Sequence, residues 1–152
     1  MGNGHALLFD RLTGVARSLR ALKRYDEARA LLEEARKIVE ATSGPGSPQF
    51  ALLNGFEANL AADTGDFEKA VTLESAGLKI QEDRFGPNFP GRDLSLNNLG
   101  YAAALNGDFA KADALLSEAF KIIEQAYGKD NATAANCAIN RSLVAEIGRA
   151  HV

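Results

Sequence analysis

Apolar positions in this chain fall into helical stripes that recur down its length. Tyr25, Ala28, Leu31, Leu32, Ala35, Ile38, Val39 and Thr42 follow the i, i+3, i+4, i+7 spacing of one helix face. Phe109, Ala112, Leu115, Leu116, Ala119, Ile122, Ile123 and Ala126 repeat it. Between them lies a weaker copy: Phe67, Ala70, Leu73, Gly77 and Ile80, with Glu74 and Gln81 where the other stripes carry Leu32/Leu116 and Val39/Ile123. No stretch alternates with the period of two that a strand requires. The pattern predicts seven helices, over 5–22, 25–43, 48–64, 67–85, 90–106, 109–127 and 132–148.

The stripes keep a constant step of 42 residues, seen in Tyr25, Phe67, Phe109 and in Ala28, Ala70, Ala112. Gly44, Gly86 and Gly128 keep the same step and close the three long stripes. A fixed period of 20–50 residues marks a stacked repeat architecture. The turn chemistry agrees. Ser47-Pro48 places an N-cap before a proline at the first helical position, and Phe85-Gly86-Pro87-Asn88-Phe89-Pro90 is expected to do likewise. Asp130 or Asn131 would cap the last helix. Gly65 and Gly107 read as tight turns within helix pairs, and Lys23 stands at that place in the first pair. Ala16, Ala58 and Gly100 on first helices, with Ala28, Ala70 and Ala112 on second ones, would let the two backbones of a pair approach closely. The reading is all-α: one repeat domain over 5–150, with units 5–47, 48–89 and 90–131 and a terminal helix or half repeat over 132–150. That last helix is expected to cover the third pair.

Composition narrows the function. A net charge of −3 and a sequence pI near 5.4 argue against a nucleic-acid surface. Apolar runs are too short to span a bilayer, and the start of the chain lacks the basic and apolar regions of a secretory signal. One cysteine, Cys137, excludes an internal disulfide and suits a reducing cytoplasm; its alanine-rich surroundings suggest a buried, unreactive thiol. His5 and His151 lie near opposite ends, so neither a metal site nor a Ser/His/Asp or Cys/His set can be assembled. The expectation is no cofactor, no metal and no enzymatic activity.

The 42-residue units resemble the tetratricopeptide repeat, in the variety found in kinesin light chains. The third unit carries the likeness in Leu94-Ser95-Leu96-Asn97-Asn98-Leu99-Gly100-Tyr101 and Asn106-Gly107-Asp108-Phe109-Ala110-Lys111-Ala112. The second carries it in Gly65-Asp66-Phe67-Glu68-Lys69-Ala70 and the first in Tyr25-Asp26-Glu27-Ala28. The resemblance implies a right-handed superhelical solenoid of antiparallel helix pairs. It also implies a concave groove, lined by first helices, that holds a peptide segment of a partner protein.

Repeat register selects the groove residues. One column is Arg17, Asn59, Tyr101, Leu143; a second is Gly14, Phe56, Asn98, Asn140; a third is Thr13, Gly55, Asn97, Ile139. Asparagine amides donate and accept together, which suits capture of a peptide main chain, so Asn59, Asn97, Asn98 and Asn140 form an expected ladder. Phe56 and Tyr101 would add aromatic contact, and Arg17, with Arg20, would meet an acidic group. The lysine and asparagine clamp of the chaperone-binding variety is incomplete here, with Thr13, Arg17 and Phe56 at its places.

Two alternatives stand beside the groove reading. The stack ends could pair with another copy through Leu7, Leu8 and Phe9 or through Val144 and Ile147. The chain could also be the sensor fragment of a larger regulator. Glu57 and Glu74 occupy positions taken elsewhere by Val15/Leu99 and by leucine. They are expected to sit at the solvent edge, with a functional acidic pair as the sharper option.

Overall fold

The computed structural model describes residues 3–128 and 131–150, the Asn3 side chain aside. Asp130 and His151 lie outside the described residues. The described residues form seven helices: α1 Asn3–Ala21, α2 Tyr25–Thr42, α3 Pro48–Asp63, α4 Phe67–Phe85, α5 Arg92–Leu105, α6 Phe109–Tyr127 and α7 Ala132–Ala150. Among the described residues there is no strand. Packing divides the chain into two compact units, one ending at Arg84 and the other beginning at Phe85.

One turn geometry makes all three helix pairs. After α3, Gly65 (φ 83°) lets Asp66 N donate to Ala61 O at 2.8 Å and Gly65 N to Ala62 O at 3.1 Å. After α5, Gly107 (φ 85°) repeats this with Asp108 N to Ala103 O at 2.9 Å and Gly107 N to Ala104 O at 3.0 Å. These crossed bonds satisfy carbonyls that a helix end would leave open. In the first pair Lys23 adopts the same left-handed backbone, φ 60°, with Arg24 N on Leu19 O at 2.9 Å. A side chain there costs about 1–2 kcal/mol, partly offset by the greater chain entropy glycine loses on folding. Lys23→Gly should therefore raise stability by about 0.5–1 kcal/mol, read as a higher urea midpoint at unchanged slope.

The links between pairs use a cap three residues beyond a left-handed glycine. Ser47 Oγ donates to Gly44 O at 2.8 Å and accepts from Phe50 N at 3.2 Å, with Pro48 opening α3. Asn131 Nδ2 donates to Gly128 O at 2.7 Å while its Oδ1 accepts from Ala134 N at 2.9 Å. The middle link departs from expectation. Its equivalent position is Phe89, which has no capping group and is instead buried at 5% exposure. Helix α5 consequently starts at Arg92, behind Gly91 at φ 90° and without a side-chain cap.

In the first unit, Phe9, Leu12 and Ala16 of α1 pack with Ala28, Leu32, Ala35 and Val39 of α2 and with Leu53 and Leu60 of α3. Helix α4 closes on α3 at Gly77, where an added Cβ would lie 3.2 Å from Ala51 O. In the second unit a Cβ on Gly100 would stand 2.8 Å from Leu116 Cγ, so a side chain there would have to displace Leu116 where α5 meets α6. Helix α7 lies against α6 as expected, burying Ala134, Cys137 and Val144.

Several expected positions are corrected. Val15 is 51% exposed, so it is no core counterpart of Leu99, because no helix among the described residues precedes α1 to cover that face. Phe9 and Val144, offered as exposed ends, are buried at 3% and 4%. Glu74 is not at a solvent edge: it is 8% exposed, carried inward by Ala70 and Gly77 on the same helix face.

Candidate functional site

The first-helix face of the first unit joins α1 and α3. Arg17, Phe56 and Asn59 line one shallow cleft of about 50 Å³ together with Arg20. Phe56 rests half-buried against the core, which fixes its ring, whereas Arg17 and Asn59 are exposed. Arg20 is drawn toward Asp63, 3.5 Å away, so Arg17 is the freer cation. Thr13, placed in a groove column by register, is buried instead; its hydroxyl donates to Phe9 O at 2.9 Å.

In the second unit the face joins α5 and α7. Asn140 Nδ2 donates to Asn97 Oδ1 at 3.2 Å, so two of the expected asparagines meet. Each amide retains capacity for further bonds, since an amide offers two donors and one acceptor oxygen with two lone pairs. Asn98 is half-buried on α5 and Tyr101 is 46% exposed one turn further on. On α7, Ile139, Leu143 and Ile147 are exposed at 62%, 45% and 37%. At this i, i+4, i+8 spacing the three share one face of α7.

Sequence reasoning missed Leu52 and Leu94, exposed at 51% and 61% near the start of α3 and α5. They stand one repeat step apart, each four residues before a selected groove residue, Phe56 and Asn98. That paired spacing is a readable signal. It is easily masked, because leucine in an amphipathic helix is ordinarily core.

The two acidic departures do not form a pair. Glu57 is bound by Arg36 of α2: Nε donates to Oε1 at 2.9 Å and Nη2 to Oε2, while Nη2 also reaches Asn54 Oδ1 at 3.2 Å. The guanidinium lies 4.7 Å from the Phe50 ring centre. Glu57 holds Arg36 charged, pushing its pKa up. Glu74 has no hydrogen-bond or ion-pair partner among the described residues, and burial alone lifts its pKa to about 7. Cys137 is 2% exposed, its Sγ lying 3.4 Å from Leu116 O. Burial pushes its thiol pKa up against the weaker pull of Arg141. The buried, unreactive reading of this residue agrees.

Helix pairs with these turns, closed by small residues at fixed register, define an α-hairpin repeat protein. The chain belongs to the tetratricopeptide repeat family, whose models match residues 10–83 and 94–132. Its fold resembles the crystal structure of BtubC (BKLC) from P. vanneervenii, with TM-score 0.78 and 19% identity over 94% of this chain. It also resembles the nearly identical TPR-like repeats of a putative kinesin light chain from Podosopora anserina. Two crystal structures of that protein match with TM-scores of 0.74 and 0.72, each at 21% identity over 91% of this chain. The chain spans 56% of the length of the first of these proteins and 65% of the second. No curated protein matches the sequence. The fold is thus an all-α solenoid of the kinesin light chain-like kind. Repeats of this family are generally protein–protein interaction modules and typically non-catalytic. Among the described residues no helix is long and apolar enough to cross a membrane.

Proposed function

We propose that this chain is a cytoplasmic interaction scaffold whose first-helix faces hold a peptide segment of a partner protein. The observation that carries this reading is the α5/α7 face, where exposed Leu94, Tyr101 and Leu143 flank the Asn97–Asn140 amide pair. Apolar anchors beside unspent amide groups suit an extended or helical peptide: the anchors supply affinity, and the amides fix main-chain register. The α1/α3 cleft, with Arg17, Phe56 and Asn59, offers a smaller site with a cation at its edge. The scaffold needs no cofactor and performs no chemistry.

The test is selection of binding peptides from a displayed random library on the wild-type chain. Tyr101→Ala should weaken the selected peptides by about 2 kcal/mol, the scale of an interface anchor. Asn98→Ala with Asn140→Ala should weaken them by about 1 kcal/mol or more. Peptides that bind all these variants as tightly as the wild type would remove the faces from consideration.

A second reading, self-association, has its own observation. Leu8 and Val15 of α1, with Leu22 in the turn just after it, are exposed at seven-residue spacing, at 40%, 51% and 67%. Their repeat equivalents on α7, Ala134, Arg141 and Gly148, are more covered, Ala134 being buried. Light scattering over a range of concentrations, on the wild type and on Val15→Glu, separates this reading from peptide binding. The sensor-fragment reading shares the peptide face and adds only a longer chain.

A further inference from the structure

A second cavity, of about 420 Å³, opens in the first unit between α2, α3 and α4. Leu32 and Leu60 line both it and the first-helix cleft, so the two lie on either side of those leucines. Its volume falls in the range of roughly 300–1,000 Å³ typical of small-molecule sites. Leu32, Leu60 and Ala61, all 5% exposed or less, give it an apolar floor, and Leu73 adds a wall.

Four of its six charges are unusual for this repeat, Asp66 and Lys69 recurring as Asp108 and Lys111. Arg29, Arg36, Lys69 and Glu33, Glu57, Asp66 supply three cations and three anions. One repeat step further on, Arg29, Glu33, Arg36 and Glu57 become Val71, Ser75, Leu78 and Leu99, so the fold does not require charge at these places. Arg36 and Glu57 neutralise each other. Arg29 and Lys69 remain against Glu33 and Asp66. Among the described residues Arg29 is drawn only to Asp26, whose side chain is 95% exposed, and Asp66 accepts just the Lys69 backbone N–H, at 3.3 Å. The Lys69 ammonium and the Glu33 carboxylate have no side-chain partner among the described residues.

An ion of one sign meets as much repulsion as attraction at such a rim. A purely apolar molecule would strip water from the charges without replacing it, which is costly. A zwitterion with an apolar body satisfies both the rim and the floor. We infer that the α2–α3–α4 cavity is a binding site for a free amino acid with an aliphatic or aromatic side chain. The side chain rests on the leucine floor, the carboxylate meets Lys69 and Arg29, and the ammonium meets Glu33 and Asp66.

Calorimetric titration of the full chain with L-leucine and L-phenylalanine tests this. One site per chain should saturate. 4-Methylpentanoate and isopentylamine each lack one of the two charges and should bind about 10-fold more weakly or worse, since a charged hydrogen bond contributes about 1.5–3 kcal/mol. Leu73→Trp, which fills the cavity, should abolish the heat, and Glu33→Gln with Lys69→Met should reduce affinity by a similar factor. Absence of saturable binding by both amino acids, equal binding of the analogues, or binding that survives Leu73→Trp overturns the inference.

Discussion

Glu74→Leu is expected to stabilise the chain by about 3 kcal/mol at pH 8. The carboxyl is 8% exposed, and its repeat equivalents Leu32 and Leu116 are 4% and 0% exposed, so leucine enters a place the fold already shapes for it. Burial raises the Glu74 pKa from 4.5 to about 7. Folded protein therefore holds this proton where unfolded chain releases it, and stability falls as pH rises from about 4.5 to about 7. Below that window the group is neutral in both states and costs little; above it the full ionisation penalty applies. Glu27, whose pKa is lowered by the Arg24 side chain, titrates below the window and does not mask the effect. In thermal melts followed by circular dichroism, the wild type should lose on the order of 8–10 °C between pH 4.5 and pH 8. Glu74→Leu should flatten that slope, and Glu74→Gln should flatten it with a smaller gain in stability. A wild-type melting temperature that holds steady across the window would show Glu74 hydrated in solution.

The helices were legible because their determinants are local. Stripes such as Ala28, Leu32, Ala35 and Val39 can be buried only as one helix face, and all four are. Gly65 and Gly107 mark left-handed turns that few other residues adopt, and the register then assigns Lys23 to the same conformation. The miss at Phe89 is also physical. A glycine–proline link suggests a cap, although the position aligned with Ser47 and Asn131 carries no side-chain acceptor. There hydrophobic burial displaced capping and delayed the start of α5.

The candidate faces were legible only in part, since exposure depends on which neighbour covers a helix. Register placed Arg17, Phe56 and Asn59 around one cleft and brought Asn97 to Asn140, because columns on stacked hairpins point alike. Register could not show that Thr13 is covered while Leu52 and Leu94 are bare. Nor could it find Arg36. That partner of Glu57 sits 21 residues away on the preceding helix, a separation with no local signature. Repeat logic alone leaves Glu57 as an anomaly, whereas the fold makes it half of an interhelical clamp.

That clamp gives the second large effect. Arg36→Leu should destabilise the first unit by about 3 kcal/mol, because it strands the half-buried Glu57 carboxylate and removes the bond to the buried Asn54 side chain. The double variant Arg36→Leu with Glu57→Leu should recover most of that loss. A buried ion pair replaced by apolar residues of similar volume is often neutral or stabilising, while breaking one side is costly. The chain contains its own guide to the replacement: one repeat step on, the two positions are Leu78 and Leu99. The last step, Phe120 and Arg141, meets the junction differently, with the guanidinium 5.7 Å from the ring centre. Urea unfolding of the two single variants and the double variant forms a closed cycle, with an expected coupling of about 2–3 kcal/mol. Additive losses would mean that Arg36 acts mainly through the Phe50 ring rather than through Glu57. Because the second unit meets the same junction with a ring and a guanidinium, the ion pair is not the only chemistry the repeat accepts there, and recovery by leucine would isolate its contribution as one of specificity.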